Sequence, residues 1–243
     1  MKDHLLDLVE HTFDLGCIDL IKITGTDSST VVDALAEDRS VVVQAQFKKP
    51  MTELIGTFGM PNLSKLKVLL NIPEYKEKSK ITITRKDRNG ESVPEGLHFE
   101  NMRGDFKNDY RFMTAEIIAE KLKTVKFKGV LWNIEFSPTI AAIQRLKFQA
   151  QANAEEITFQ AKTEDGDLKL LFGDHSTHSG NFTFQPAVNG KLSRVLSWPV
   201  AQVIAILNLT GDKVFRISDE GAAQITVDSG LAVYNYILPA KSK

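Results

Sequence analysis

The side chains that could bind a metal ion in this sequence lie in one short segment, DHSTH, which contains Asp174, His175 and His178. Aspartate and histidine are ordinary ligands of zinc and similar metals, but a site needs at least one more ligand at a suitable spacing. The segment is surrounded by serine and glycine, and no such ligand lies near it in the sequence. A solvated loop between two strands therefore explains it better than a metal centre.

No other pattern in the sequence predicts catalysis. The chain contains neither GxxxxGK[ST] nor GxSxG, and no GxGxxG follows a predicted strand, so phosphate-loop, dinucleotide and hydrolase-elbow sites have no support. The single cysteine, Cys17, excludes an internal disulfide framework and a cysteine-rich metal site, and core packing explains it better than nucleophilic chemistry. We therefore predict a protein without catalytic residues, metal or cofactor.

The remaining candidate chemistry is a set of cationic and amide side chains on two predicted helices. Its members are Lys65, Lys67, Gln144, Arg145, Lys147 and Gln151. Aligned along one surface they could bind the phosphates of a polyanion, whereas each taken alone is an ordinary solvated residue. Total charge does not decide between a polyanion-binding surface and ordinary solvated residues, because 30 Lys and Arg nearly balance 31 Asp and Glu.

A recurring unit of one short amphipathic helix and alternating, strand-like runs predicts how these residues are positioned. We predict helices at residues 5–15, 63–72, 139–151 and 200–209, so the unit recurs about four times. Such repetition favours two domains and indicates that shape, more than one reactive pocket, carries the function.

Local signals refine the first and last helices. The polar face of the first helix holds Asp7, Glu10, His11 and Asp14, which makes it acidic. The last helix is apolar nearly all round, with Ser197 as its expected N-cap and Pro199 in its first turn.

No stretch approaches about 20 uninterrupted apolar residues, and the start MKDHLLDLVEH carries acids where a signal peptide has a basic and then an apolar run. We therefore expect an intracellular, cytoplasmic protein with no membrane partner.

Three segments carry a resemblance to a known family. Residues 108–115 (NDYRFMTA) look like a strand that closes one domain before a connector, and residues 139–185 give a helix, a hairpin with an EDGD turn and an edge strand. Residues 230–241 (GLAVYNYILPAK) look like a final strand with a basic tail. In these features the chain resembles the DNA polymerase sliding clamps, specifically the trimeric, PCNA-like kind of eukaryotes, archaea and T4-type phages.

The resemblance implies an α+β clamp fold of two pseudo-repeated domains, each with two helices backed by antiparallel β-sheets. The implied domains are residues 1–114 and 129–243, joined by an interdomain connector at 115–128. Three protomers would close head to tail into a homotrimeric ring, with helices lining the hole. The implied function is that of a processivity factor in DNA replication, which would act in the host cytoplasm if the protein comes from a phage. It would encircle duplex DNA without sequence specificity, be loaded by a clamp loader, and tether DNA polymerase and other replication proteins.

The resemblance also assigns roles to residues. The six helix residues named above would contact DNA. A partner peptide would dock at Tyr236, Ile237, Leu238 and Pro239, together with Ile117, Ile118 and Leu122. The subunit interface would pair two edge strands, one holding Asp109, Tyr110, Arg111, Phe112, Met113 and Thr114, and the other holding Asn181, Phe182, Thr183, Phe184 and Gln185.

Two alternatives remain open. A β-rich, ring-forming structural protein of a virion or similar assembly would also explain the repeats, and it accounts more easily for an acidic first helix. A small-molecule enzyme that uses Asp174, His175 and His178 is the other.

Overall fold

The computed structural model describes residues 1–76, 79–88, 90–123, 127, 129–174 and 178–241. The chain divides into two compact units, one formed by Met1–Val125 with Ser229–Tyr234 and the other by Lys126–Asp228 with Asn235–Lys243. The domain boundaries that the sequence suggested, 114 and 128, stay a prediction.

Within the described residues, the first unit contains three α-helices and seven strands. The helices are α1 (Lys2–Glu10), α2 (Leu63–Asn71) and α3 (Ala115–Lys121). The strands are β1 (Leu20–Gly25), β2 (Thr30–Leu35), β3 (Val42–Phe47), β4 (Gly56–Pro61), β5 (Lys80–Arg88), β6 (Glu91–Glu100) and β7 (Lys107–Arg111). They run in the orders β4–β1–β2–β3 and β5–β6–β7, and all these neighbours are antiparallel.

The second unit contains two α-helices in its described part, α4 (Ile140–Ala152) and α5 (Val200–Leu207). Its strands are β8 (Ile134–Phe136), β9 (Thr158–Glu164), β10 (Asp167–Phe172), β11 (Gly180–Gln185), β12 (Leu196–Pro199), β13 (Asp212–Ser218), β14 (Ala222–Asp228) and β15 (Ala232–Pro239), the last of which begins in the first unit. They run in the orders β11–β10–β9–β12 and β15–β14–β13–β8.

The two units repeat one order of elements: a helix, four strands, a second helix and three strands. The repeat runs from α1 to β7 in the first unit and from α4 to β15 in the second. Strand pairing repeats as well, since β4–β1–β2–β3 corresponds to β12–β9–β10–β11. The predicted recurrence of four helix-and-strand units is confirmed, with α3 and β8 outside the repeat.

Strand alternation places one face of each strand in a core. On β1, Ile21 and Ile23 are fully buried while Lys22 between them is not, which is the period of two that a half-buried strand requires. The hairpin of β9 and β10 turns at Asp165 and Gly166, both with positive φ (52° and 84°), as its EDGD sequence predicts.

Three local predictions were wrong. The first helix ends at Glu10 and not at residue 15, because a separate 3₁₀ turn at Phe13–Leu15 follows it. Pro199 is the N-cap of α5, and Ser197 lies within β12. Alternation also failed to reveal β2, β4, β8 and β12, of which β8 and β12 are only three and four residues long.

Candidate nucleic-acid interface

Helix α2 presents Lys65 to solvent because its four leucines face the core. Leu63, Leu66, Leu69 and Leu70 are buried, whereas Lys65 is exposed. Asp19 accepts a hydrogen bond from the backbone N–H of Ser64 (3.2 Å) and so satisfies one of the free donors at the helix N-terminus. Lys65 is therefore an accessible cation on a well-anchored helix.

Lys67, also on α2, is held by an acid of the first unit. Its Nζ lies 2.7 Å from Asp14 Oδ1 and 5.8 Å from the centroid of the Phe13 ring. The two charged side chains are 45% and 34% exposed, and pairs this open to water are weak. A phosphate could therefore compete with Asp14 for Lys67.

Helix α1 is less acidic at its surface than its sequence suggests. Asp7 accepts a hydrogen bond from Tyr234 Oη (2.7 Å), and His11 is 1% exposed and stacks on the Tyr234 ring (centroids 4.5 Å apart). These two residues therefore face the core, and placing them on a solvent-facing polar surface was wrong. Glu10 and Asp14 stay accessible.

Helix α4 carries the largest group of candidate DNA contacts. Thr139 Oγ1 caps it by accepting a hydrogen bond from Ala142 N (3.1 Å), and Ala142 and Leu146 turn to the core. Gln144 and Gln151 are exposed, whereas Lys147 is half-buried on a flank of the helix.

Arg145 points along α4 toward the edge strand β11. Its guanidinium donates to the Thr183 carbonyl (3.2 Å) and lies 5.2 Å from the Phe182 ring centroid. The side chain is exposed, but these contacts fix its position. Arg145 therefore belongs to the surroundings of β11 as much as to the polar face of α4.

Two large apolar side chains on α4 are open to solvent: Ile140 is 88% exposed and Phe148 is 59% exposed. Phe148 follows Arg145 by three residues, so it lies on a neighbouring part of the helix surface. The other helix of this unit, α5, carries no charged residue. The solvent face of this helix pair is thus mostly neutral.

Strand β7, the first predicted interface strand, lies at the edge of its sheet. It ends at Arg111, three residues before the predicted end at Thr114, although Met113 still forms a bridge to Gly59. Asp109 and Arg111 pair with side chains of β6, His98 (2.8 Å) and Glu95 (2.9 Å).

The remaining residues of this segment hold it in the core. Tyr110 is 2% exposed and donates to the Pro61 carbonyl, and burial raises the pKa of its phenol, with the charge of Asp19 adding to the effect. Phe112 stacks on Phe58 (centroids 4.3 Å apart).

Strand β11, the second predicted interface strand, is also an edge strand. Phe182 and Phe184 are buried, Asn181 is exposed, and Thr183 and Gln185 are half-buried. Each of these two edge strands, β7 in the first unit and β11 in the second, therefore has one side that pairs with no other strand in the described part of the chain.

Most of the predicted peptide-binding residues are buried. Tyr236, Ile237 and Leu238 are at most 5% exposed, and in the first unit so are Ile118 and Leu122. The accessible members of the two groups are Pro239 in the second unit and Ile117, 44% exposed, in the first.

The alternative metal site lies partly outside the described residues. His175 lies outside the described residues, and no group of three or more His, Cys, Asp or Glu that could hold a metal occurs among the rest. Across the described helices, none is long and apolar enough to cross a membrane.

Comparisons with known proteins found similar structures but no similar sequences. No protein-family model matches the sequence, and no curated protein matches it. Among solved structures, PCNA of Thermococcus kodakaraensis superposes with a TM-score of 0.68 at 11% identity, over 99% of this chain and 97% of that one. A. fulgidus PCNA bound to the C-terminal region of FEN-1 gives 0.70 at 11% identity, over 98% and 96%.

The PCNA2–PCNA3 complex of Sulfolobus tokodaii gives a TM-score of 0.66 at 10% identity, over 100% of this chain and 98% of that one. The chain therefore has the PCNA-like sliding-clamp fold, and the predicted α+β clamp architecture is confirmed.

Proposed function

We propose that this protein is a DNA sliding clamp: a homotrimeric ring without catalytic activity that encircles duplex DNA and tethers DNA polymerase to it. The observation that carries the proposal is the fold, which matches PCNA structures over nearly the whole length of both chains. A clamp loader that opens the ring and places it on DNA belongs to the same proposal.

Ring closure is assigned to the two edge strands. β7 and β11 lie at sheet edges, where unpaired backbone N–H and C=O groups can pair with another chain. A head-to-tail contact between β7 of one protomer and β11 of the next repeats around a closed ring. The exposed Phe148, on the helix that carries Arg145 beside β11, would be covered in such a contact.

DNA contact is assigned to Lys65, Lys67, Gln144, Lys147 and Gln151, with Arg145 divided between DNA and the β11 edge. Lysine contacts to phosphate carry no sequence information and weaken with salt. Such contacts suit a protein that must slide along its ligand.

Partner docking is assigned to Pro239 and Ile117 as the accessible residues, and Tyr236, Ile237, Leu238, Ile118 and Leu122 are the buried residues of the same assignment. The A. fulgidus PCNA structure holds the C-terminal region of FEN-1, which supports the proposal that a peptide from a replication protein binds this fold.

Retention on circular DNA tests the central claim. The protein is loaded onto a nicked circular duplex by its loader and isolated by gel filtration, and half of the sample is then linearised. A ring stays on the circle and leaves the linear molecule by its ends. Equal retention on both, or none on either, would exclude an encircling ring and favour an assembly protein that binds no DNA.

Light scattering tests the number of subunits separately. We expect a particle of three times the 27.1 kDa protomer mass. Phe148→Glu should weaken assembly, since a buried phenylalanine contributes about 1.5–3 kcal/mol and the new carboxylate would have to be desolvated. Val195→Glu is the matched control, because Val195 is similarly exposed (55%) but lies outside β7, β11 and their helices. A trimer that survives Phe148→Glu would contradict the assignment of this helix face.

A further inference from the structure

Strand β5 has one side without a strand neighbour. It pairs with β6 on one side only, and no strand of the described chain pairs with the other. Such an edge exposes backbone N–H and C=O groups that can accept an added strand. The open part is residues 80–84, because at Arg85 the guanidinium reaches across to the carbonyls of Glu53 and Ile55 (3.1 Å each).

The internal repeat shows that a strand fills the equivalent position in the second unit. In the second unit, the strand that corresponds to β5 is β13, and its equivalent side is filled by the antiparallel strand β8. Phe136 and Ile134 of β8 lie opposite Phe215 and Ile217, which are at most 1% exposed. Between these apolar pairs, Arg216 of β13 forms a salt bridge with Glu135 of β8.

The corresponding apolar residues of β5 lack this cover. Ile81 and Ile83 pair with Phe99 and Leu97 of β6. Those two partners are fully buried, whereas Ile81 and Ile83 are only half-buried. An added strand with two apolar side chains separated by one residue would cover both isoleucines, as β8 covers β13.

The net charge of β5 is positive, because Lys80, Arg85, Lys86 and Arg88 outnumber its one acid, Asp87. Lys80 and Lys86 are exposed and form no salt bridge with any residue in the described ranges. Two of the three acids of β6 pair with β7, Glu95 with Arg111 (2.9 Å) and Glu100 with Lys107 (3.3 Å), and the third, Glu91, lies opposite Arg88 at the far end of β5. An occupant with acidic residues around its apolar pair therefore fits this edge best.

We propose that the open edge of β5 is a docking site for an extended acidic segment of a partner protein, which adds to the sheet as an antiparallel strand beside Ile81 and Ile83. Main-chain hydrogen bonds would supply affinity, and the two apolar side chains and flanking acids would supply selectivity. The site lies within one unit, so it requires neither a ring nor DNA, and it is separate from the peptide site assigned to Pro239 and Ile117.

The test uses the full-length protein and a synthetic peptide, DEIEFED, built on the Ile134–Glu135–Phe136 strand that fills the equivalent position. Amide hydrogen exchange measured with and without about 1 mM peptide should show slowed exchange at residues 80–84. The double substitution Lys80→Glu and Lys86→Glu should weaken peptide binding about tenfold or more at low salt. Lys213→Glu on β13 is the matched control, because β8 already occupies that strand, and it should leave binding unchanged.

Three results would overturn the proposal. One is unchanged exchange at residues 80–84 at about 1 mM peptide. Another is undiminished binding of both peptides N-methylated at alternate residues, one for each set, because one of the two sets must donate the N–H groups of the ladder. The third is slow exchange at these amides without peptide that increases with protein concentration, because a second copy of the chain would then occupy the edge.

Discussion

Asp14 should limit the affinity of the protein for DNA, and Asp14→Asn should therefore strengthen it. The carboxylate lies 2.7 Å from Lys67 Nζ, and both side chains are more than a third exposed, so the pair contributes about 0.2–1 kcal/mol. A phosphate that binds Lys67 must displace Asp14 first. Removing the carboxylate removes that competition without changing the cation.

The expected gain follows from the proposed threefold ring. Three copies of the pair give about 0.6–3 kcal/mol, or between about 3-fold and about 140-fold in affinity at low salt. If all three freed lysines reach phosphate, the slope of log K against log salt should steepen by about 2.7, because each contact contributes about 0.9. The assay is fluorescence anisotropy with a linear duplex, at about 50 mM and about 200 mM salt.

Asp27→Asn is the control that separates the local effect of Asp14 on DNA affinity from the effect of net charge. Asp27 is exposed in the turn between β1 and β2 and differs from Asp14 in lying outside the helices. Both substitutions change the protomer by one charge, but only Asp14→Asn frees Lys67. Equal gains from the two would show that total charge governs binding, and no gain from Asp14→Asn would refute a role for Lys67 at the DNA.

Three further predictions concern the fold. Tyr234→Phe leaves Asp7 without its buried hydrogen bond (2.7 Å) and should lower the free energy of unfolding by about 1–3 kcal/mol in urea titration; a change within about 0.3 kcal/mol would contradict the contact. Gly59→Ala places a Cβ 2.8 Å from the Ile118 side chain and should cost about 1–3 kcal/mol in the same measurement, while Gly129→Ala, with open space around it, should be nearly neutral. Hydrogen bonds from Lys169, and then Lys162, lower the pKa of Glu164 from 4.5 to about 2, so the stabilising contribution of this carboxylate is complete above pH 4.5 and is lost as pH falls through about 2. NMR titration of the carboxyl carbon should show this, and Lys169→Met should move the midpoint upward.

Local signals predicted the features that depend on neighbouring residues. The EDGD turn and the alternation around it locate the β9–β10 hairpin, because register and turn lie within one short segment. The apolar stripe of α2 likewise leaves Lys65 no position except the solvent face.

Contacts between distant segments could not be read in the same way. Asp7 is polar on an amphipathic helix, and its burial depends on Tyr234, 227 residues away. Arg145 is fixed by the Thr183 carbonyl, 38 residues away. Strand β12 holds only four residues and ends in Pro199, so it gives almost no alternation to detect.

The sequence marks β5 as an edge strand, but only comparison with its counterpart β13 shows that a covering strand is missing. The run KITITRK alternates isoleucine with threonine and carries cations at its ends, which is typical of any edge strand. The structure adds that β13 has a covering strand and β5 has none.

Helices α2 and α5 carry few free cations, which favours retention of DNA by a closed ring over retention by electrostatic attraction. α5 carries no charged residue, and on α2 the cation Lys67 is partly offset by Asp14. A protein that held DNA by electrostatic attraction alone would need many phosphate contacts, because each one weakens as salt rises. A closed ring is retained by its topology, so its contacts need only be weak enough to break during sliding. In the proposed ring, Asp14 would therefore keep Lys67 from binding phosphate too firmly, and we expect the affinity gained by removing it to come at the expense of the rate at which the ring diffuses along DNA.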